Sequence, residues 1–368
     1  MIPQLQNHGI ETDVIYPSGD GQLIIHNTDG TDIVINGSTV LKKSHYINNL
    51  FSIIKTLFLY KDRYKIILFV GPNQDTLYAA IMAKLFLRIR IAYRITMLGE
   101  DDPLAIRAQG RFGWLRAYLL YRVDAIVCLN PAMEVASQHA KIPQERIFLI
   151  PQVTDIDLFS PVNQASRDKI REEEGLSLNV KIVIFCGVLV ERKGVDLLLK
   201  AWSEVIVSHP ASLLLLVGPD GEIESDAQFS KTVKLSAQDP AYGDSIRFCG
   251  YRQDVHRLLQ VSDVFVLPSR QEGTPNALIE AMAAGLPSVI SDLAGVSGAV
   301  VRDGIEAFVV RQNDWRQLKD CICRLLDDDD LAKSFGGLAR NRAVANYSLD
   351  SSAEKYASLF QKLESKRF

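Results

Sequence analysis

Glu272 and Glu280, with seven residues between them, frame a segment suited to both halves of a phosphorylated sugar. Between the carboxylates lie Gly273, Thr274, Pro275, Asn276 and Ala277, and beyond them runs Ala281-Met282-Ala283-Ala284-Gly285-Leu286-Pro287. Upstream, Val264-Phe265-Val266-Leu267-Pro268 has the apolar run of a buried strand, so the segment reads as strand, loop and helix start. Amides at a helix N-terminus lack intrahelical acceptors, and together with the helix dipole they favour bound anions. Ionised carboxylates accept hydrogen bonds, including those from sugar hydroxyls. One short stretch could therefore grip phosphate and saccharide together. The plainer alternative is a helix start with an incidental glutamate on its solvated face.

A second chemistry-bearing run is Phe185-Cys186-Gly187-Val188-Leu189-Val190-Glu191-Arg192-Lys193-Gly194. It reads as a strand ending at Gly187, a loop, and a helix starting near Gly194. Gly187 lets a ligand approach the backbone with no side chain in the way, and Arg192 and Lys193 supply the cations that a diphosphate needs. Alone, the same residues would also fit a surface Arg-Lys pair. A third run, Phe248-Cys249-Gly250-Tyr251-Arg252, places a ring and a guanidinium just after a strand. Tyr251 or Arg252 is suited to stack on a pyrimidine, and a strand end with a solvent-facing arginine is the alternative.

Two glutamates framing Gly-Thr-Pro-Asn and followed by Ala-Ala-Gly-Leu-Pro resemble the donor-site signature of the family 4 retaining glycosyltransferases, the glycogen-synthase-like group. The resemblance implies the GT-B fold: α/β, with two Rossmann-like doubly wound domains facing across a cleft and a C-terminal helix crossing back to the first domain. It implies that Lys193 binds the donor phosphates. Relatives often carry arginine just after the first glycine; here that place is Val188, with Arg192 as the compensating cation. Val217-Gly218-Pro219-Asp220 is similar to the family's strand-end turn at the cleft mouth, and the residues after Gly250 fall where relatives line the base pocket. The resemblance is strongest in the C-terminal half. Relatives begin with a strand and a glycine-rich loop, whereas this chain starts in or after the following helix. Relatives also carry a His where this chain has Thr96. Asp101, within Glu100-Asp101-Asp102, is the nearest acidic candidate, and an N-cap cluster leading a helix after Pro103 is the alternative reading.

These residues must be held by something. At 368 residues the chain suits two domains. We expect an N-terminal acceptor domain over 1–160 with a returning helix at 347–368, and a donor domain over 161–346. Apolar runs at 66–70, 125–129, 182–186, 213–217, 264–267 and 288–290 alternate with amphipathic segments at 77–87, 195–207, 277–284 and 315–326. Near-continuous apolar strands alternating with helices indicate parallel sheets covered on both faces. The last helix is expected at 351–363, and Asp327 to Asp330 reads as a solvated loop rather than a metal site.

The formal net charge of −3 predicts no nucleic-acid partner. No apolar run approaches the ~20 residues that span a bilayer, and the start lacks a basic-then-apolar leader. The five cysteines have no zinc-site spacing and suggest a reducing compartment, so the expected location is cytoplasmic. Between Lys84 and Arg122, basic residues outnumber acidic ones and interleave with Phe86, Phe112 and Trp114. That pattern suits an anionic lipid headgroup or a lipid-pyrophosphate acceptor, and hence peripheral membrane contact at the inner face. Snorkelling arginines on ordinary amphipathic helices are the alternative.

What the resemblance implies for function is a retaining hexosyltransferase acting in polysaccharide or exopolysaccharide assembly. It would move a hexose from a nucleoside-diphosphate sugar, UDP-glucose first among donors, to a sugar or lipid-linked sugar. Glu272 would orient the hexose and Glu280 the ribose; Lys193, Arg192 and the amides of 273–276 would stabilise the departing diphosphate. No cofactor and no metal are expected. The rivals are a glycosidase using the two glutamates, a non-catalytic nucleotide-sugar-binding subunit, and an epimerase on the same fold.

Overall fold

The computed structural model describes residues 2–11, 14–17, 23–26, 32–35, 58–59, 62, 64–70, 77, 81, 84–86 and 89–365. The chain divides into two compact units, Met1–Pro151 with Leu349–Phe368, and Gln152–Ser348. The divisions fall at 151/152 and 348/349, where the sequence alone places them at 160/161 and 346/347. Phe159 packs in the core of the second unit, and Thr154 bridges to Ser348, so both segments associate with the second unit.

In the first unit, β1 (Val14–Pro17), β2 (Leu23–His26) and β3 (Asp32–Ile35) form an antiparallel sheet. This sheet follows the first helix, Ile2–Asn7. A separate parallel sheet contains β4 (Ile66–Val70), β5 (Arg90–Arg94), β6 (Ala125–Cys128) and β7 (Ile147–Leu149), in that order. The expected helix over 77–87 lies mostly outside the described residues. The final helix, Leu349–Ser365, buries Ala353, Tyr356, Leu359 and Leu363 against Leu5, Ala92, Ala125, Val127 and Ile150 of this unit.

The second unit is built on six parallel strands. These are β8 (Lys181–Cys186), β9 (Ser212–Val217), β10 (Ile246–Gly250), β11 (Val264–Leu267), β12 (Ser288–Ser291) and β13 (Ala307–Val310). Their spatial order is β10-β9-β8-β11-β12-β13. Side chains alternate across the sheet as strand geometry requires. Ile182, Ile184, Cys186, Phe265 and Leu267 enter one core; Val183, Phe185, Val264 and Val266 enter the other, which surrounds Trp202. Burial on both faces explains the uninterrupted apolar runs. The strand order reverses between β8 and β11, a doubly wound arrangement whose crevice at the carboxyl ends of the strands is the usual ligand position.

Asp327 to Asp330 is a helix junction rather than a plain loop. Helix Trp315–Asp327 ends there, and Asp328 caps the next helix, Asp329–Asn346, by accepting from Leu331 N. Asp327 pairs with His209 and Asp329 with Lys181. Among the described residues no group of three or more His, Cys, Asp or Glu is placed to hold a metal ion. All five cysteines are free, with Cys128 and Cys186 buried in strands.

Candidate functional site

Three neighbouring strands of the second unit end in glycine-containing turns. Gly187 N donates to Val217 O and Gly218 N donates to Gly250 O, which sets the ends of β8, β9 and β10 side by side. At Gly218, φ is +145°, and a Cβ there would stand 2.0 Å from Gly187 O, so only glycine fits. A Cβ on Gly187 would meet Lys193 at 3.7 Å, placing that lysine's stem over the bare backbone. Val188, partly exposed, continues this first turn.

Arg192 and Lys193 lie on the short 3-10 turn Glu191–Lys193, which Gly194 closes in the left-handed region. A Cβ on Gly194 would fall 2.1 Å from Pro268 O, so glycine also lets this turn sit against the end of β11. That contact brings the two motifs together although they are far apart in sequence. Lys193 Nζ donates to Glu272 Oε1 at 2.6 Å, and Ser269 Oγ donates to the same oxygen at 2.7 Å. Both members of the Lys193–Glu272 pair are largely shielded from water. Arg192 Nη1 stands 3.8 Å from Glu272 Oε2, beyond hydrogen-bond reach, and is buried with no hydrogen-bond partner. Thr274 Oγ1 is likewise buried and unpartnered. Buried polar atoms without partners are uncommon in folded proteins, and here one stands beside the Glu272 carboxylate and another two residues further along the same loop.

Gly273, Thr274 and Pro275 lead into helix Asn276–Ala283, whose N-terminus has no side-chain cap. Asn276 is exposed and Ala277 partly so at that end. Glu280 sits one turn further on. Its carboxylate makes no hydrogen bond or ion pair among the described residues, and burial holds its pKa above the usual glutamate value. The buried Cys186 thiol at the end of β8 lies within its electrostatic reach. Uncapped amides, two cations, an unspent hydroxyl and two carboxylates in different surroundings therefore share one edge of the sheet.

Two expected site residues sit differently. The Arg252 guanidinium is spent on Asp254 and Glu174, through Nε to Asp254 Oδ1 at 2.7 Å and Nη2 to Glu174 Oε1 at 2.7 Å, with two further bonds to the same carboxylates. Tyr251, the other candidate of that turn, is 70% exposed. Asp101 belongs to the first unit and is fully buried. Its Oδ2 accepts from Thr96 N and Oγ1, and its Oδ1 from Met97 N. That carboxylate organises its own turn instead of offering a free acid, while Asp102 caps helix Pro103–Ala108. The N-cap alternative describes this cluster.

Sequence reasoning passed over Arg270. Its guanidinium grips Asp196 through two bonds of 2.9 and 2.7 Å, donates to Glu191 O and reaches Asn313 Oδ1; its backbone N–H donates to Arg192 O. It ties the cationic turn to the Glu272 loop. No local pattern signals a partner 74 residues away. Ser269 was also missed, although a hydroxyl three residues before Glu272 was a readable clue.

Residues 166–342 match the family described as glycosyl transferases group 1. Over 254 residues the chain is 26% identical to the UDP-Gal:alpha-D-GlcNAc-diphosphoundecaprenol alpha-1,3-galactosyltransferase of Escherichia coli, covering 68% of this chain and 63% of that one. The chain spans from about half to just under two thirds of the length of the curated relatives it matches. Among solved structures, sucrose-phosphate synthase from Thermosynechococcus elongatus superposes with a TM-score of 0.77 at 20% identity, over 93% of this chain and 85% of that one. Anabaena HepE in complex with UDP superposes with a TM-score of 0.74 at 19% identity, over 84% and 82%. These superpositions reproduce the fold read from the strand orders. Through residues 166–342 the chain is similar to the group 1 glycosyl transferases, of the family 4-like kind, and its fold is GT-B.

Proposed function

We propose that the protein is a retaining glycosyltransferase that moves a hexose from a nucleoside-diphosphate sugar to a hydroxyl of a sugar or lipid-linked sugar, as in polysaccharide assembly. UDP-glucose is the donor to test first, since uridine is the base both in the Escherichia coli relative's donor and in the HepE complex. The observation that carries the reading is the Lys193–Glu272 pair at the strand-order reversal, with Arg192 Nη1 and Thr274 Oγ1 buried and without hydrogen bonds in the same two loops. The expected location is cytoplasmic.

Breaking the anomeric bond leaves negative charge on the diphosphate and positive charge on the sugar carbon. Lys193 has two donors left after Glu272 takes one. With Arg192, Thr274 and the uncapped amides it would meet the departing phosphates. Preorganised donors of this kind contribute about 3 kcal/mol each to a transition state. Glu272, held by Lys193 and Ser269, would accept from hexose hydroxyls and fix the ring. Glu280 would accept from the ribose, with Tyr251 against the base. A diphosphate oxygen taking the acceptor proton on the face of departure gives retention without a strong protein base, in keeping with Asp101 being committed to its own turn.

A panel of nucleotide-sugars tests this through slow release of nucleoside diphosphate and through calorimetry. Lys193→Ala should weaken diphosphate affinity about ten- to a hundredfold, the range for a charge-assisted hydrogen bond. Glu272→Ala should abolish turnover while nucleotide affinity is kept. Full turnover in both variants, or no affinity for any nucleotide, overturns the assignment.

A further inference from the structure

Helix Gly113–Leu120 of the first unit is aromatic on the side where a surface helix is ordinarily polar. Phe112 is 57% exposed, Trp114 64% and Tyr118 50%. Trp114, Tyr118 and Arg122 recur at intervals of four and so share one side, while Gly113, Arg116 and Leu120 are buried. The helix is seated firmly. A Cβ on Gly113 would lie 2.4 Å from Arg107 O, and Arg116 bonds to Gln109 O. At the far end Lys84 Nζ donates to Arg122 O at 2.6 Å, and the next two residues, Leu85 and Phe86, are exposed.

The exposed charge at this surface is mostly positive. Arg107 and Arg111 are exposed and make no ion pair among the described residues, and the Arg122 guanidinium lies 5.0 Å over the Tyr118 ring. Most of the neighbouring acids are turned inward. Asp101 and Asp102 are spent on backbone amides, and Asp124 on Lys84 and Arg90. Glu100 remains as an exposed acid. In the snorkelling arrangement, arginine stems cover apolar surface while heads reach water; here the rings themselves stand in water.

We infer that this face docks on an anionic phospholipid surface, with Phe112, Trp114 and Tyr118 at headgroup level and Arg107, Arg111 and Arg122 on the phosphates. A second copy of the chain fits poorly, because like faces would oppose arginine to arginine. The inference does not depend on the donor site, which lies in the other unit.

The test is co-sedimentation of the full chain with vesicles of phosphatidylcholine alone and with added phosphatidylglycerol. Binding is expected to the anionic vesicles, and to fall steeply between about 0.1 and 0.5 M salt as screening shortens to a few ångströms. Arg107→Ala with Arg111→Ala should reduce partitioning roughly twenty- to thirtyfold, at about fivefold per charge. Brominated lipid should quench tryptophan emission in the parent chain far more than in Trp114→Phe, since Trp202 is fully buried and Trp315, in the second unit, is partly buried. Unchanged circular dichroism and nucleotide affinity establish that the variants remain folded. Equal binding to both vesicle types, or no effect of the arginine and tryptophan changes, overturns the inference. So does a dimer in light scattering that Trp114→Ala dissociates, which would make a second copy the occupant.

Discussion

Glu272 and Glu280 border the same loop, but their surroundings give them different chemistry. Glu272 is fixed by Lys193 and Ser269, so its oxygens are oriented before any ligand arrives. Glu280 has no such partner, and burial raises its pKa above 4.5. The sign of the consequence follows from linkage. Between the ordinary glutamate value and the raised one, the folded state holds more protons than the unfolded chain, so Glu280 makes stability fall as pH rises through that window. A ribose hydroxyl donating to the ionised carboxylate would favour the charged form and lower the pKa again. Nucleotide binding at mildly acidic pH should therefore release protons. Calorimetry in buffers of different ionisation enthalpy should show this release for the parent chain and lose it in Glu280→Gln. A release that Glu280→Gln leaves intact would remove Glu280 from the ribose subsite.

At the scale of elements, the Arg192–Lys193 turn and the Glu272 loop are tied together by one side chain outside both motifs. Arg270 binds Asp196 at the start of helix Val195–Ser208, Glu191 O in the cationic turn and Asn313 beyond β13. Arg270→Ala should let the Arg192–Lys193 turn shift relative to Glu272. A misplacement of about 1 Å can cost on the order of a hundredfold in rate, so kcat/KM for the donor should fall by up to that factor. Arg270→Lys should recover only part, since lysine cannot make the paired bonds to Asp196. Steady-state kinetics on the two variants decide it; unchanged kcat/KM in Arg270→Ala would show that the turns hold themselves. The β8 to β13 strands were legible in the sequence because burial on both faces leaves apolar runs that only a few elements can explain. The Glu272 and Lys193 motifs were legible because their spacing is local. Arg270 was not, since its meaning arises only when distant loops meet. The β2–β3 pair was passed over although Asp29-Gly30, a strong short-range hairpin signal, stands between those segments. The pairing of Arg252 was not legible either, because Glu174 is 78 residues away.

Across the whole molecule, each hydrophobic cluster among the described residues lies within one unit. A unit with its own core can unfold on its own terms. The donor-binding candidates all belong to the second unit, whereas the last helix serves the first. A change in that helix and an added ligand should therefore act on different unfolding transitions. Leu359 is nearly inaccessible among Ala92, Val127 and Ile150, so Leu359→Ala removes packing worth about 2–5 kcal/mol from the first unit. A nucleotide at a hundred times its dissociation constant adds about 2.7 kcal/mol to the state that binds it. Differential scanning calorimetry should show two transitions, one lowered by Leu359→Ala and insensitive to UDP, the other raised by UDP and indifferent to the substitution. A single transition moved by both would mean that the two cores melt as one cooperative body. UDP acting on the Leu359-sensitive transition alone would place the nucleotide in the first unit and displace the site built around Lys193 and Glu272.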